Sequence, residues 1–235
     1  MLAVENHQLW RNHNYGANKM NLFTQTVLVI GRITPEHVQM LGTGFLVSKD
    51  GLIATTRHVV GSDSSNLVVL FPHITNIDEY QDLSDTRCKP VPARIQEVDP
   101  IKDLAILKSE LNFNGEIPKL GSFNSTSVGD EVGIFGYPHC VQGRRALTFQ
   151  KAEIGAKVLL VSSGIKSKHA VINVQSRPGQ SGSLIFSPKT SSITGVLIGA
   201  WGPTSGGGIS LGGINPHELH QTTHCISSEY IKEML

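Results

Sequence analysis

The chain has almost no net charge to offer a partner: 20 lysines and arginines stand against 19 aspartates and glutamates, a balance of +1. A polyanion-binding surface needs a basic excess, so nucleic-acid recognition is not expected. Cysteine is scarce and odd in number, with Cys88, Cys140 and Cys225 far apart. That excludes a disulfide scaffold; free thiols in a reducing compartment are the simpler expectation, and one bridge plus one free thiol is the other. No apolar run approaches the ~18 residues of a membrane span, so no membrane partner is expected. Residues 1–20, broken up by Glu5, His7, Arg11, His13 and Lys19, lack the apolar core of a signal peptide. These absences predict a soluble cytoplasmic protein, with a mature chain stripped of an export signal as the alternative. Repeats and low-complexity tracts are absent too. Gly206-Gly207-Gly208 is followed by neither a helical pattern nor a lysine, which removes a phosphate cradle.

What the chain does have is turns and short apolar runs. Gly 24 and Pro 11, scattered among many brief Val/Ile/Leu segments in 235 residues, predict an all-β protein. Strand candidates fall at 25–31, 38–47, 52–55, 66–71, 92–98 and 104–108. A second set falls at 131–136, 146–155, 158–161, 170–174, 183–187, 193–201 and 208–214. Two sets of about six short strands favour paired barrels over a βαβ architecture. The expected organisation is a polar extension over 1–22, a first barrel over 23–115, and a second over 116–235. The second ends in a short amphipathic helix, capped by Ser227 or Ser228 with Glu229 in its first turn.

Chemistry concentrates in three places. Pro178-Gly179-Gln180-Ser181-Gly182-Ser183 runs directly into Leu184-Ile185-Phe186. A serine between two glycines can sit on a tight turn where the Gly179 and Ser181 amides converge on one point, as a nucleophile with an oxyanion hole requires. Upstream, the apolar segment beginning Gly51-Leu52-Ile53 delivers His58. Between them, Asp99-Pro100-Ile101-Lys102-Asp103 ends in an acid at the start of Leu104-Ala105-Ile106-Leu107. Each alone is ordinary: a histidine beside a strand and an aspartate in a turn are usually structural. Together, in the order His58, Asp103, Ser181, they match one of the known arrangements of a Ser-His-Asp triad. Asp99 is the competing acid, but Pro100 makes it a turn-former, whereas Asp103 abuts the strand.

These segments resemble the trypsin-like serine peptidases, and among them the bacterial HtrA/Deg protease domain. Leu41-Gly42-Thr43-Gly44-Phe45 is similar to the family's Gly-(Ser/Thr)-Gly-Phe strand, Thr56-Arg57-His58-Val59-Val60 to its histidine segment, and Asp103-Leu104-Ala105-Ile106-Leu107 to its aspartate segment. Ile134-Phe135-Gly136-Tyr137-Pro138 resembles the entry to the second barrel, and Leu197-Ile198-Gly199 the strand beside the specificity pocket. The resemblance implies two six-stranded antiparallel β-barrels with the site in the cleft between them. It implies a serine endopeptidase acting on a protein or peptide substrate through an acyl-enzyme, with no metal and no cofactor. His58 would be the base, Asp103 its orienting acid, Ser181 the nucleophile, and the Gly179 and Ser181 amides the oxyanion hole. Pocket walls would come from Ala200, Trp201 and Gly202 and from Ile209 onward, with a floor near 173–176. Because no Asp or Glu lies between Asn173 and Gly213, an apolar or small residue before the scissile bond is expected.

Two departures from the family pattern qualify this. Zymogen-activated trypsins carry an aspartate before the nucleophile to pair with a newly cut N-terminus; Gln180 has no charge to offer. Regulation through loop order, with an activating protein partner or a homo-oligomer, is the expectation instead. Only about a dozen residues follow the second barrel, so no PDZ domain is expected. His169 and His217 are candidates for a place near the pocket. His217, His220, His224 and Cys225 would share a face if helical, but a turn into the last helix is the plainer expectation than a metal site. The reading from another class is a catalytically silent trypsin-like domain acting as a binding or effector-recruiting module.

Overall fold

The short apolar runs become strands paired almost throughout in antiparallel fashion. In a computed structural model, which describes residues 20–201 and 222–235, the first unit contains β1 (Val27–Ile33), β2 (Val38–Leu46), β3 (Leu52–Thr56), β4 (Leu67–Leu70), β5 (Val91–Asp99) and β6 (Leu104–Ser109). They close into a barrel in the order β1-β2-β3-β6-β5-β4. The second unit contains β7 (Lys119–Leu120), β8 (Glu131–Gly136), β9 (Thr148–Ser162), β10 (Ile165–Ile172), β11 (Leu184–Ser187), β12 (Ser192–Trp201) and β13 (Thr222–Ser227). Its order is β11-β8-β9-β10-β13-β12-β7, with a further β11–β12 pairing. Among the described residues three short α-helices accompany the sheets: α1 (Leu22–Thr26), α2 (Arg57–Val60) and α3 (Glu229–Glu233).

The expectation of two matching six-stranded barrels therefore holds for the first unit, whereas the second is a seven-stranded sheet whose β7 joins β12 in parallel. The candidates at 146–155 and 158–161 are one strand, β9. Gly155 does not end it, because the β9–β10 pairing steps from Val171↔Ala156 to Ile172↔Ile154 and leaves Gly155 as the extra residue of a bulge. Thr222–Ser227 was expected as a turn and is a strand, held between β10 and β12. The candidate at 208–214 lies outside the described residues. In α3 neither serine acts as a side-chain cap: Ser228 Oγ donates to the Ile193 carbonyl at 2.6 Å instead. No helix among the described residues is long and apolar enough to cross a membrane.

Alternation along the strands explains how two cores and one interface arise. In β1, Leu28 and Ile30 point into the barrel, while Val27 and Val29 join the cluster between the units. In β6, Ala105 and Leu107 fill the barrel and Leu104 and Ile106 the interface. In β11, Ile185 enters the second core and Leu184 and Phe186 the interface. Strands buried on both faces read as unbroken apolar runs, which is why these segments show no polar alternation. Phe23 of α1 stacks on Phe135 of β8 with ring centroids 3.8 Å apart, tying the segment before β1 to the second unit.

Ser183, which has no evident purpose in the sequence, occupies space that Gly136 leaves open. It is fully buried, and a Cβ built on Gly136 would overlap its hydroxyl. Gly136→Ala is expected to destabilise by about 1–3 kcal/mol through overpacking, lowering the melting temperature by roughly 2–4 °C per kcal/mol at this size. The double variant Gly136→Ala/Ser183→Gly should recover much of the loss in the same thermal melt.

Candidate active site

Register alone brings the histidine and the aspartate together. β3 and β6 pair antiparallel with Thr56 opposite Leu104, so the residues just past that pair, His58 and Asp103, emerge at one edge. The Arg57 amide continues the ladder to the Asp103 carbonyl at 3.0 Å. Asp103 takes a left-handed backbone (φ 55°), which turns its carboxylate back over α2. There Oδ1 accepts from the His58 amide at 2.9 Å, and Oδ2 lies 2.5 Å from His58 Nδ1. That contact leaves the far nitrogen of the imidazole to face the cleft. Arg32 of β1 secures the segment that follows, donating to the carbonyls of Val60 (3.0 Å) and Asp63 (2.8 Å). Asp99 is occupied elsewhere: it accepts from the Ile101 and Lys102 amides at 3.0 Å and pairs with Lys102 Nζ at 2.6 Å. It is a turn-former.

The serine turn is fixed from both units. Gly179 and Gly182 have φ values of 93° and 85°, the left-handed region where a side chain is strained. At Gly182 there is also no room, since a Cβ would run into the Thr43 carbonyl. The Pro178 carbonyl accepts from the His139 amide at 2.6 Å. Because N–H and C=O point oppositely across a trans peptide, the Gly179 amide faces away from His139. Among the described residues neither the Gly179 nor the Ser181 amide donates to a protein acceptor. Two adjacent unpaired amides are what an incoming oxyanion needs. Ser181 Oγ donates to the Ile198 carbonyl at 3.0 Å, and no hydrogen bond joins it to His58. Gly42 forms the thin wall between the two sides: a Cβ there would meet Val59 at 2.7 Å and the Ser181 carbonyl at 3.1 Å.

Gln180 is buried and neutral. Its Oε1 accepts from the Arg177 amide at 2.7 Å, and its Nε2 donates to Gln150 Oε1 at 3.2 Å. Amide bonds within the second unit thus hold the position for which trypsins use an ion pair. Of the expected pocket residues, Ala200 lies near the end of β12 opposite Thr223. Trp201 ends that strand, and its side chain lies outside the described residues, as do Gly202 and Ile209. His217 and His220 lie outside them too. β13 alternates, so Cys225 enters the second core while His224 faces the other way, its ring 5.6 Å from that of His169. His224 and Cys225 are therefore strand residues on opposite faces rather than neighbours on one helical face. All three cysteines are free, Cys88 exposed and the other two buried.

The most telling residue that the sequence did not single out is Thr43, whose hydroxyl donates to the Gly179 carbonyl at 2.8 Å across the two units. Its signal was a polar side chain between Gly42 and Gly44, in the half of the strand that runs into the apolar Phe45 and Leu46.

Residues 42–196 match the family model of the trypsin-like peptidase domain. The chain belongs to that family. Among curated relatives of this trypsin-like peptidase, a probable periplasmic serine endoprotease DegP-like from Pseudomonas fulva is 36% identical over 111 residues, 45% of this chain and 19% of the relative. A protein of the same description from Pseudomonas putida is 30% identical over 157 residues, covering 65% and 28%. The chain thus spans less than a third of the length of these relatives. Among solved structures, the MamO protease domain from Magnetospirillum magneticum superposes with a TM-score of 0.65 at 15% identity, covering 94% of this chain and 98% of that one. The HtrA-type protease AlgW, in complex with a decapeptide, gives 0.59 at 17%, covering 89% and 62%. At such identities these two establish the fold alone.

The relatives overturn one expectation. Their descriptions are of periplasmic endoproteases, which points to an exported protein rather than a cytoplasmic one. Free thiols do not separate the two readings, because the fold rests on apolar cores rather than on disulfides.

The histidine pair gives the trypsin-like peptidase a predictable acid response. Burial, reinforced by His224, pushes His169 down to about 4, and burial also lowers His224. His169 has Ser167 Oγ at 3.0 Å from Nε2. An unfolded histidine titrates near 6.5, so between about 6.5 and 4 the unfolded chain binds the extra proton. Stability is then complete above that window and is lost as pH falls through it. His169→Gln should flatten the fall in melting temperature between pH 7 and pH 4.5.

Proposed function

We propose that this chain is a serine endopeptidase that opens peptide bonds through an acyl-enzyme. The observation that carries the reading is the His58–Asp103 contact at the edge where the Ser181 turn presents two unpaired amides. In the reaction, Ser181 Oγ leaves the Ile198 carbonyl by rotation about χ1 and gives its proton to His58 as it attacks the substrate carbonyl. Asp103 holds the imidazole in the tautomer that can accept at the far nitrogen, and stabilises the imidazolium. The Gly179 and Ser181 amides receive the oxyanion; a donor of this kind is typically worth about 3–4 kcal/mol in the transition state. His58 then protonates the leaving amine, and water repeats the sequence to release the acid. The HtrA and DegP relatives support a protein or peptide substrate and are consistent with assembly into oligomers. The absence of Asp and Glu between Asn173 and Gly213 supports a small or apolar residue before the scissile bond.

Covalent labelling with a fluorophosphonate tests the reading. The native chain should label at one serine, and Ser181→Ala should abolish both labelling and hydrolysis of fluorescein-casein. Absence of labelling across pH 6–9 in the native protein would sink it. Asp103→Asn should keep the fold, as judged by circular dichroism, yet lower kcat by about four orders of magnitude.

A further inference from the structure

Four polar groups meet at Thr43, and their directions are fixed. Thr43 is fully buried in β2. Its amide donates to the Ser181 carbonyl at 2.9 Å, and its carbonyl accepts from Thr55 Oγ1 at 2.7 Å. Its hydroxyl accepts from the Tyr137 amide at 3.0 Å. An amide can only donate, so the single hydroxyl proton is free to go to the Gly179 carbonyl, 2.8 Å away. Gly179 has the backbone freedom of a glycine, and the peptide units on its two sides are each tied by one bond. The His139 amide holds the Pro178 carbonyl, and Thr43 Oγ1 holds the Gly179 carbonyl. If either tie is lost, Gly179 can turn its amide away from the oxyanion position.

We propose that Thr43 is a positioning residue for the reaction: its hydroxyl locks Gly179 so that the oxyanion amide is aimed before substrate arrives. This rests on the reading of Gly179 and Ser181 given above. The geometry explains why a polar side chain is placed in the buried second half of β2, between Gly42 and the apolar Phe45 and Leu46. It also explains why the lock reaches across the units. A group belonging to the turn itself would move with the turn, whereas Thr43 is braced by the barrel through Thr55. The second group near the same carbonyl is a poor substitute. Cys140 Sγ is 3.8 Å from it, a weak donor that burial keeps protonated by pushing the thiol up to about 12.

The test compares Thr43→Val, which keeps the shape and removes the hydroxyl, with Thr43→Ser, which keeps the hydroxyl. Steady-state cleavage of fluorescein-casein and the second-order rate of fluorophosphonate labelling are measured well below each melting temperature. The expected result is a 10- to 100-fold loss of kcat and of labelling rate in Thr43→Val, with KM within about twofold. Thr43→Ser should retain at least a third of the native kcat. The proposal is overturned if Thr43→Val keeps kcat within twofold of native, if Thr43→Ser is as impaired as Thr43→Val, or if the loss lies in KM. Should Thr43→Val fail to fold, Thr43→Ala is measured against Thr43→Ser under the same criteria. Ser181→Ala is assayed alongside: activity surviving in that variant would refute the nucleophile assignment itself, an outcome separate from any result at Thr43.

Discussion

Antiparallel pairing of β3 with β6 is the constraint from which the site follows. It sets Thr56 against Leu104, and once that register is fixed the next residues of each strand must leave the barrel at the same edge. A slip of β6 by one residue would reverse its faces, driving Leu104 and Ile106 out of the interface between the units and Ala105 and Leu107 out of the barrel. The apolar pattern that builds the cores is therefore the same pattern that guarantees the meeting of His58 and Asp103. Stability and chemistry are specified by one set of contacts.

The second unit depends on that edge in turn. Its serine turn has glycines at two strained positions and would be poorly ordered by itself. Order comes from the packing of β1, β6, β8 and β11 into a shared apolar cluster, and from the hydrogen bonds that Thr43 makes across it. The division of labour is plain: dispersion and desolvation set the distance between the units, and a few buried polar groups set the orientation of one peptide beside Ser181.

Much of this was legible in the sequence. Strand positions in the first barrel could be read because each is bounded by turns and shows its own run of branched residues. His58, Asp103 and Ser181 could be singled out as candidates because each borders such a run. Asp99 and Asp103 were separable by local chemistry, as Pro100 marks a turn. What could not be read depended on distant partners. Gly155 looks like a strand breaker until its bulge against β10 is seen, and Thr222–Ser227 looks like a polar tail until it is placed between two strands. Thr43 belongs to a quoted motif, but its purpose is set by Gly179, which is 136 positions away. The compartment was misread for a different reason, since neither composition nor the folded chemistry of the cores carries an address.

Gln180 has a consequence for the conditions in which the site can stay assembled. An ammonium–carboxylate latch weakens as salt screens it and fails when either partner loses its charge. The turn in this protein is closed instead by neutral dipoles, from the Gln180 side chain to Arg177 and Gln150. Its order is in consequence indifferent to ionic strength and to the titration of any terminal amine. Such a latch needs no partner whose charge must be kept.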